Sequence, residues 1–250
     1  MAKIPSNRTT GASKKTTYDA IPDDTYMARI VRFIGFGMQE QPVFDEKEVK
    51  DPAFKCSIQF ELLGTDVTGV DHEGKAIEPR PACQFRDYFL FPGAKRGHVY
   101  DLCRVLDPTI EKVPGDLDWF LDKLGAVVNV QVGSYKDKQG NTKNKVVSVS
   151  SVPSMFKNQA PAARTDLVGF DPYTESESNM IAYAKLFPFQ RTILEEAIDK
   201  ENIPYAGKEP MKLEGGADKP KTEAKTTPKA VEQKPNEVDA DVPFDDDVPF

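Results

Sequence analysis

The chain ends in Asp245-Asp246-Asp247-Val248-Pro249-Phe250, three carboxylates running into a proline and a phenylalanine. Just before it, Asp241-Val242-Pro243-Phe244 carries the same Val-Pro-Phe unit. The chemistry on offer is recognition rather than bond making. An apolar ring beside several negative charges fits a hydrophobic pocket rimmed by Arg or Lys on a partner protein. The competing reading is an acidic tail that serves solubility alone.

A second group of residues pairs cations with flat rings. The segment from Lys136 to Lys145 holds Lys136, Lys138, Lys143 and Lys145 against one carboxylate, Asp137. Such lysines neutralise phosphates without reading bases, although lysines are also common at solvated hairpin tips. Pro92-Gly93-Ala94-Lys95-Arg96-Gly97 is a second basic loop, whose glycines permit close backbone approach to a ligand. It lacks the spacing of a nucleotide-hydrolase phosphate loop. Arg29, Arg32, Phe33 and Phe36 interleave along one apolar segment, and Arg86, Tyr88, Phe89 and Phe91 along another. Rings for base stacking and cations for the backbone are what single-stranded nucleic acid requires. At a strand's period of two, Arg86 and Tyr88 share one face and Phe85, Phe89 and Phe91 the other. The second set reads as core, which leaves Arg86 and Tyr88 as the surface pair. Arg29 shares a face with Phe33, and Arg32 with Phe36; the period does not say which is outward. Lys55 lies on the polar face of a further strand and completes the cationic set.

Bond-making chemistry finds no support. No Ser/His/Asp arrangement has a recognisable context, so an enzyme is not expected. His72 and His98 fall in a loop and at a helix start. Cys56, Cys83 and Cys103 are widely spaced and read as reduced, buried thiols of a cytosolic protein. Neither a metal site nor a cofactor is expected. No apolar run is long enough to span a membrane, and the basic N-terminus is not followed by one, so a secretory signal is not expected. The expectation is a cytoplasmic protein, in a host cytoplasm if a phage encodes it.

The net charge of −7 is unevenly placed. Glu237, Asp239, Asp241 and Asp245 to Asp247 contribute six carboxylates with no cation among them. Without them, 34 acidic residues face 33 basic ones, a nearly neutral body. The first fifteen residues carry Lys3, Arg8, Lys14 and Lys15 and no carboxylate. Charge sorted this way serves an anionic ligand and a cationic partner separately.

The elements that must position these groups follow from periodicity. Residues 1–17 read as a flexible basic start, 18–205 as one folded unit, and 206–250 as a disordered tether with the acidic tip. Thr25 to Phe36 is a strand, with Gly35 and Gly37 marking a bulge or bend. Phe54 to Leu62 alternates, with Phe54, Cys56, Ile58, Phe60 and Leu62 inward and Lys55, Ser57, Gln59 and Glu61 outward. Gln84 to Phe91 is a third strand. His98 to Leu106 is a helix whose stripe is Val99, Leu102, Cys103 and Leu106. Asp116 caps another that ends near Gly125. Val127 to Tyr135 and Val146 to Val152 form a closing hairpin. Residues 153 to 175 read as irregular. Ser176 caps a helix with Met180, Ile181, Ala184 and Phe187 inward; Pro188 interrupts it, and a further helix follows. The predicted class is mainly β (α+β): a five-stranded OB-fold barrel with inserted helices, a C-terminal helical appendix and a disordered acidic tail.

The chain resembles bacteriophage single-stranded DNA-binding proteins. The resemblance rests on residues 23–35, residues 86–97, residues 166–173 and the acidic tip. The tip also resembles that of the bacterial proteins, where three aspartates precede Ile-Pro-Phe and Val248 here replaces the isoleucine. The resemblance implies sequence-independent coating of single strands in replication and recombination. It also implies a tail that recruits polymerase, primase, helicase, nuclease or recombinase partners. Extra length and the helical appendix set this chain apart, so the bacterial tetramer is not carried over. The alternatives are a strand-annealing recombination mediator and a nucleic-acid-free adaptor acting through its tip.

Overall fold

The computed structural model describes residues 16–43, 50–137 and 139–212. Chain order is β1 (Thr17–Tyr18), β2 (Asp24–Gln39), β3 (Ala53–Val67), β4 (Gly69–Val70), β5 (Arg80–Leu90), α1 (His98–Leu106), α2 (Leu117–Leu121), β6 (Val127–Lys136), β7 (Thr142–Ser151), α3 (Ser154–Lys157), β8 (Val168–Phe170), α4 (Glu177–Ala184) and α5 (Pro188–Glu195). The main sheet is six-stranded, ordered β5-β3-β2-β6-β7, with β8 added parallel to β2. All its other ladders are antiparallel. The sheet is open: among the described residues no ladder joins β5 to β7. Strands β1 and β4 form a separate two-stranded sheet.

The long β-branched and aromatic run of β2 is the spine, pairing with β3 from Ala28 to Gln39 and with β6 from Asp24 to Arg29. Two bulges interrupt it. Opposite β3, the register steps from Ile30–Phe60 to Arg32–Gln59, so Val31 is an extra residue. A second step falls between Gly35 and Met38, where Gly37 takes φ 77°. The glycine pair did mark a bend, because only glycine enters that backbone region readily.

The principal core lies on one face of the sheet beneath α1 and α2. Ile30, Phe33, Cys56, Ile58, Phe60, Leu62, Tyr88, Val130 and Val146 meet Val99, Leu102, Cys103 and Phe120 there. The inward set expected for α1 is largely as read. Asp116 caps α2, its side chain accepting from the Asp118 N–H. The segment expected to be irregular contains the short helix α3 and strand β8.

A second core occupies the other face of β2. Ile34 and Phe36 meet Val168, Phe170, Ala182, Tyr183, Leu186 and Leu194. The appendix therefore packs on the sheet. Ser176 caps α4, accepting from the Asn179 N–H at 3.2 Å. The inward face of α4 is not the expected one, however. Met180 and Ile181 are exposed, whereas Asn179, Ala182, Tyr183 and Leu186 are buried. Buried Asn179 sets this rotation: its amide donates to the Asp171 and Thr174 carbonyls and accepts from the Asp171 N–H.

The outward face of β3 is covered as well. Ser57, Gln59 and Glu61 are only 3%, 5% and 1% exposed, so the half-wet strand read from alternation is buried on both faces. Glu61 is satisfied there by backbone donors, whereas Gln59 Oε1 is buried without a partner. The Glu61 carboxylate accepts from the Arg164 and Thr165 N–H groups at 2.9 and 2.7 Å. Burial alone would raise its pKa, yet these bonds hold it below the ordinary carboxylate value.

Candidate functional site

The predicted site residues scatter over the fold, and several prove structural. Phe33 is 1% exposed and stacks on Phe120, centroids 5.3 Å apart. Tyr88 is 5% exposed, and burial pushes its hydroxyl pKa far up. Both rings fill the principal core, so the expectation that they stack on a ligand is corrected. For Phe33 the cause is the Val31 bulge, which breaks the period of two. For Tyr88 it is register: Tyr88 lies opposite the inward-facing Cys56.

The arginines of β2 act on the appendix. Arg29 donates from Nε to the Pro161 carbonyl at 2.7 Å. Its Nη1 and Nη2 reach the Gly125 and Ala160 carbonyls at 2.7 and 2.9 Å. Three carbonyls occupy its guanidinium, so Arg29 staples the 160–161 segment to β2. Arg32 donates from Nη1 to the Lys185 carbonyl and lies over the Phe187 ring, 4.5 Å from the centroid. Its Nε is buried without a partner, and desolvation lowers its pKa.

Arg86 lies at the open seam. Its Nη1 donates to the Val146 and Val147 carbonyls of β7 at 3.3 and 2.8 Å, while the guanidinium covers Tyr88 at 5.3 Å. It bridges the two strands that no ladder joins. Lys55 pairs with Asp87 at 3.1 Å on the outward face.

The two basic loops keep more of their charge outward. In the turn after β5, the Ala94 N–H donates to the Phe91 carbonyl. The loop is pinned to Val113 by Gly93 N–H to Val113 O at 2.9 Å and Val113 N–H to Ala94 O at 2.8 Å. Gly93 and Gly97 take φ 85° and 97°, which lets so tight a loop form. Lys95 and Arg96 project from it, both exposed, and no ion pair engages either among the described residues. In the β6–β7 hairpin, Asp137 organises the turn by accepting from the Gln139 and Asn141 N–H groups, both at 2.9 Å. Lys143 pairs with it at 3.1 Å. Desolvation opposes ionisation of Asp137, but bonds from Asn141 and Lys143 outweigh it and bring its pKa down to about 2. Lys136 is exposed and Lys145 half-buried. Lys138, the basic start and the tip residues Asp245 to Phe250 lie outside the described residues.

Sequence reasoning missed the rings that are exposed. Phe85 and Phe91, read as core, are 37% and 46% exposed. They follow the outward face of β5, an edge strand. Phe189, from the start of α5, is 55% exposed. Phe85 stands edge-on to Phe187 and Phe189 at 6.0 and 6.4 Å, and those two rings are parallel at 5.8 Å. The Phe187-Pro188-Phe189 spacing carried a signal: a proline inside a helical pattern ends it and turns its flanking side chains elsewhere.

No family model, curated protein or solved structure matches the chain. Among the described residues no helix is long and apolar enough to cross a membrane. No group of three or more His, Cys, Asp or Glu gathers among them in a manner able to hold a metal ion.

Proposed function

We propose that the chain binds single-stranded DNA without sequence preference and recruits replication or recombination proteins through its acidic end. The observation that carries the reading is strand connectivity. The first long strand, β2, pairs with the second, β3, and the fourth, β6. The second pairs with the third, β5, and the fourth with the fifth, β7. Helices α1 and α2 fall between the third and fourth strands. The ladder directions make β5 and β7 run the same way at the seam that Arg86 bridges. This order supports an OB-fold reading, that fold being a partly open five-stranded Greek-key barrel whose second and third strands and flanking loops hold oligonucleotides. A fold alone does not assign a function. The cations Lys95, Arg96 and Lys136 add the electrostatics that a phosphate backbone needs. The terminal Asp-Asp-Asp-Val-Pro-Phe adds the partner-binding half of the proposal.

The test is titration of a fluorescent poly-dT oligonucleotide with the full chain, over a salt series, with equal-length duplex as competitor. The expected result is single-strand binding that weakens with salt and resists duplex. Failure of both the full chain and one lacking residues 237–250 to bind would sink the proposal.

A further inference from the structure

The rings on the outward face of β5 form one continuous feature. Phe85, Asp87, Phe89 and Phe91 follow one another at every second residue, about 6.8 Å apart along a strand. At the Phe85 end, the Phe187–Phe189 pair extends the row, with the Arg32 cation over Phe187. At the Phe91 end, the turn presents Lys95 and Arg96. The single carboxylate within the row, Asp87, is already paired with Lys55. The row is thus mainly aromatic along its length and cationic at both ends.

It is also held rigidly. The Phe187 N–H donates to Oε1 of the wholly buried Gln190 at 3.0 Å. Arg191 Nη1 donates to the Leu186 carbonyl at 2.6 Å, and Pro188 fixes the backbone between the two rings. Two residues before Phe85, Cys83 Sγ meets Thr165 Oγ1 at 3.7 Å. There the appendix covers the outward face, and beyond it Phe85 and Phe91 are open.

Several large rings exposed together call for an occupant, since isolated exposed apolar residues are ordinary but clustered ones mark binding surfaces. Flat rings flanked by cations fit nucleobases with phosphates beside them. We infer that Phe85, Phe91 and Phe189 are the base-stacking platform for single-stranded DNA, assembled jointly by the edge strand β5 and the appendix. This rests on the function proposed above and places the bases on rings that the alternation of β5 would assign to the core.

The experiment uses the full chain and a poly-dT oligonucleotide. Phe189→Ala and Phe85→Ala each remove one exposed ring, and each is expected to weaken binding by about five- to 150-fold. The slope of log affinity against log salt should not change, because the cations that meet phosphate are untouched. Phe189→Trp, made with Trp119→Phe so that it carries the only indole, should restore binding, and poly-dT should quench its emission. Wild-type affinity in both alanine variants, with indole emission indifferent to poly-dT, overturns the platform while single-strand binding stands. No binding by the wild-type chain overturns both together.

Discussion

Replacing Glu61 by Gln is predicted to loosen the appendix, in a way that depends on pH. The Glu61 side chain is buried between the sheet and residues 164–165, where its two oxygens accept from two backbone N–H groups. A glutamine amide in its place would keep one acceptor and turn an NH2 group toward the other N–H. One charge-assisted bond disappears and one buried donor is orphaned, which costs roughly 1.5–3 kcal/mol. The folded pKa of Glu61 is depressed. Its contribution is therefore complete above the unfolded value, about 4.3, and fades as pH falls through the lower folded value. Urea denaturation of wild type and Glu61→Gln at about pH 7, 5 and 3 measures this. The stability gap should be similar at the two higher values and narrow at the lowest, where the protonated wild-type side chain resembles an amide. A gap that is absent at neutral pH, or that widens in acid, would refute the argument that an ionised Glu61 latches the appendix.

Two other perturbations separate scaffold from surface. A Cβ on Gly35 would stand 2.6 Å from Pro172 Cδ and 2.8 Å from Phe54 Cζ, so Gly35→Ala should cost about 1–3 kcal/mol by overpacking. Gly115→Ala, whose Cβ would meet only Pro92 at an ordinary 3.5 Å, is the near-neutral control in the same denaturation assay. Replacing both Lys95 and Arg96 with Gln should leave stability within about 0.5 kcal/mol. If each cation meets one phosphate, the salt slope of poly-dT binding becomes shallower by about 0.7 for each cation removed; an unchanged slope would remove this loop from the interface.

Local pattern sufficed for much of the scaffold. The alternation of Cys56, Ile58, Phe60 and Leu62, the stripe of α1, and the caps at Asp116 and Ser176 are properties of short segments, and the structure carries each of them. What depends on contacts beyond a single element was not legible. The three-residue strand β8 is held by its parallel pairing with β2 and has no periodicity of its own. The rotation of α4 depends on Asn179 bonding to residues 171 and 174. The Val31 bulge has no glycine to announce it, yet it decides that Phe33 turns into the core while Arg32 turns out under the appendix.

The inversion of β5 has a more general cause. Its outward face carries Phe85, Phe89 and Phe91, while its inward face mixes Ala82, Tyr88 and Leu90 with Gln84 and Arg86, so the three phenylalanines draw a reading from hydrophobicity to the wrong face. Arg86 tolerates its inward position because it lies at the open seam, where the β7 carbonyls accept its donors. In a closed ladder, backbone N–H groups of β5 would compete with the guanidinium for those carbonyls. The open seam and the exposed phenylalanines are thus two sides of one arrangement. Register against β3 fixes the inward set, an arginine bridges the gap, and the rings are left on an edge strand that faces outward. Uncovered apolar side chains on a sheet edge favour unwanted pairing between chains. The pairing of Asp87 with Lys55 and the cations at either end keep charge along that edge, which opposes such pairing while leaving the ring faces open to a flat ligand.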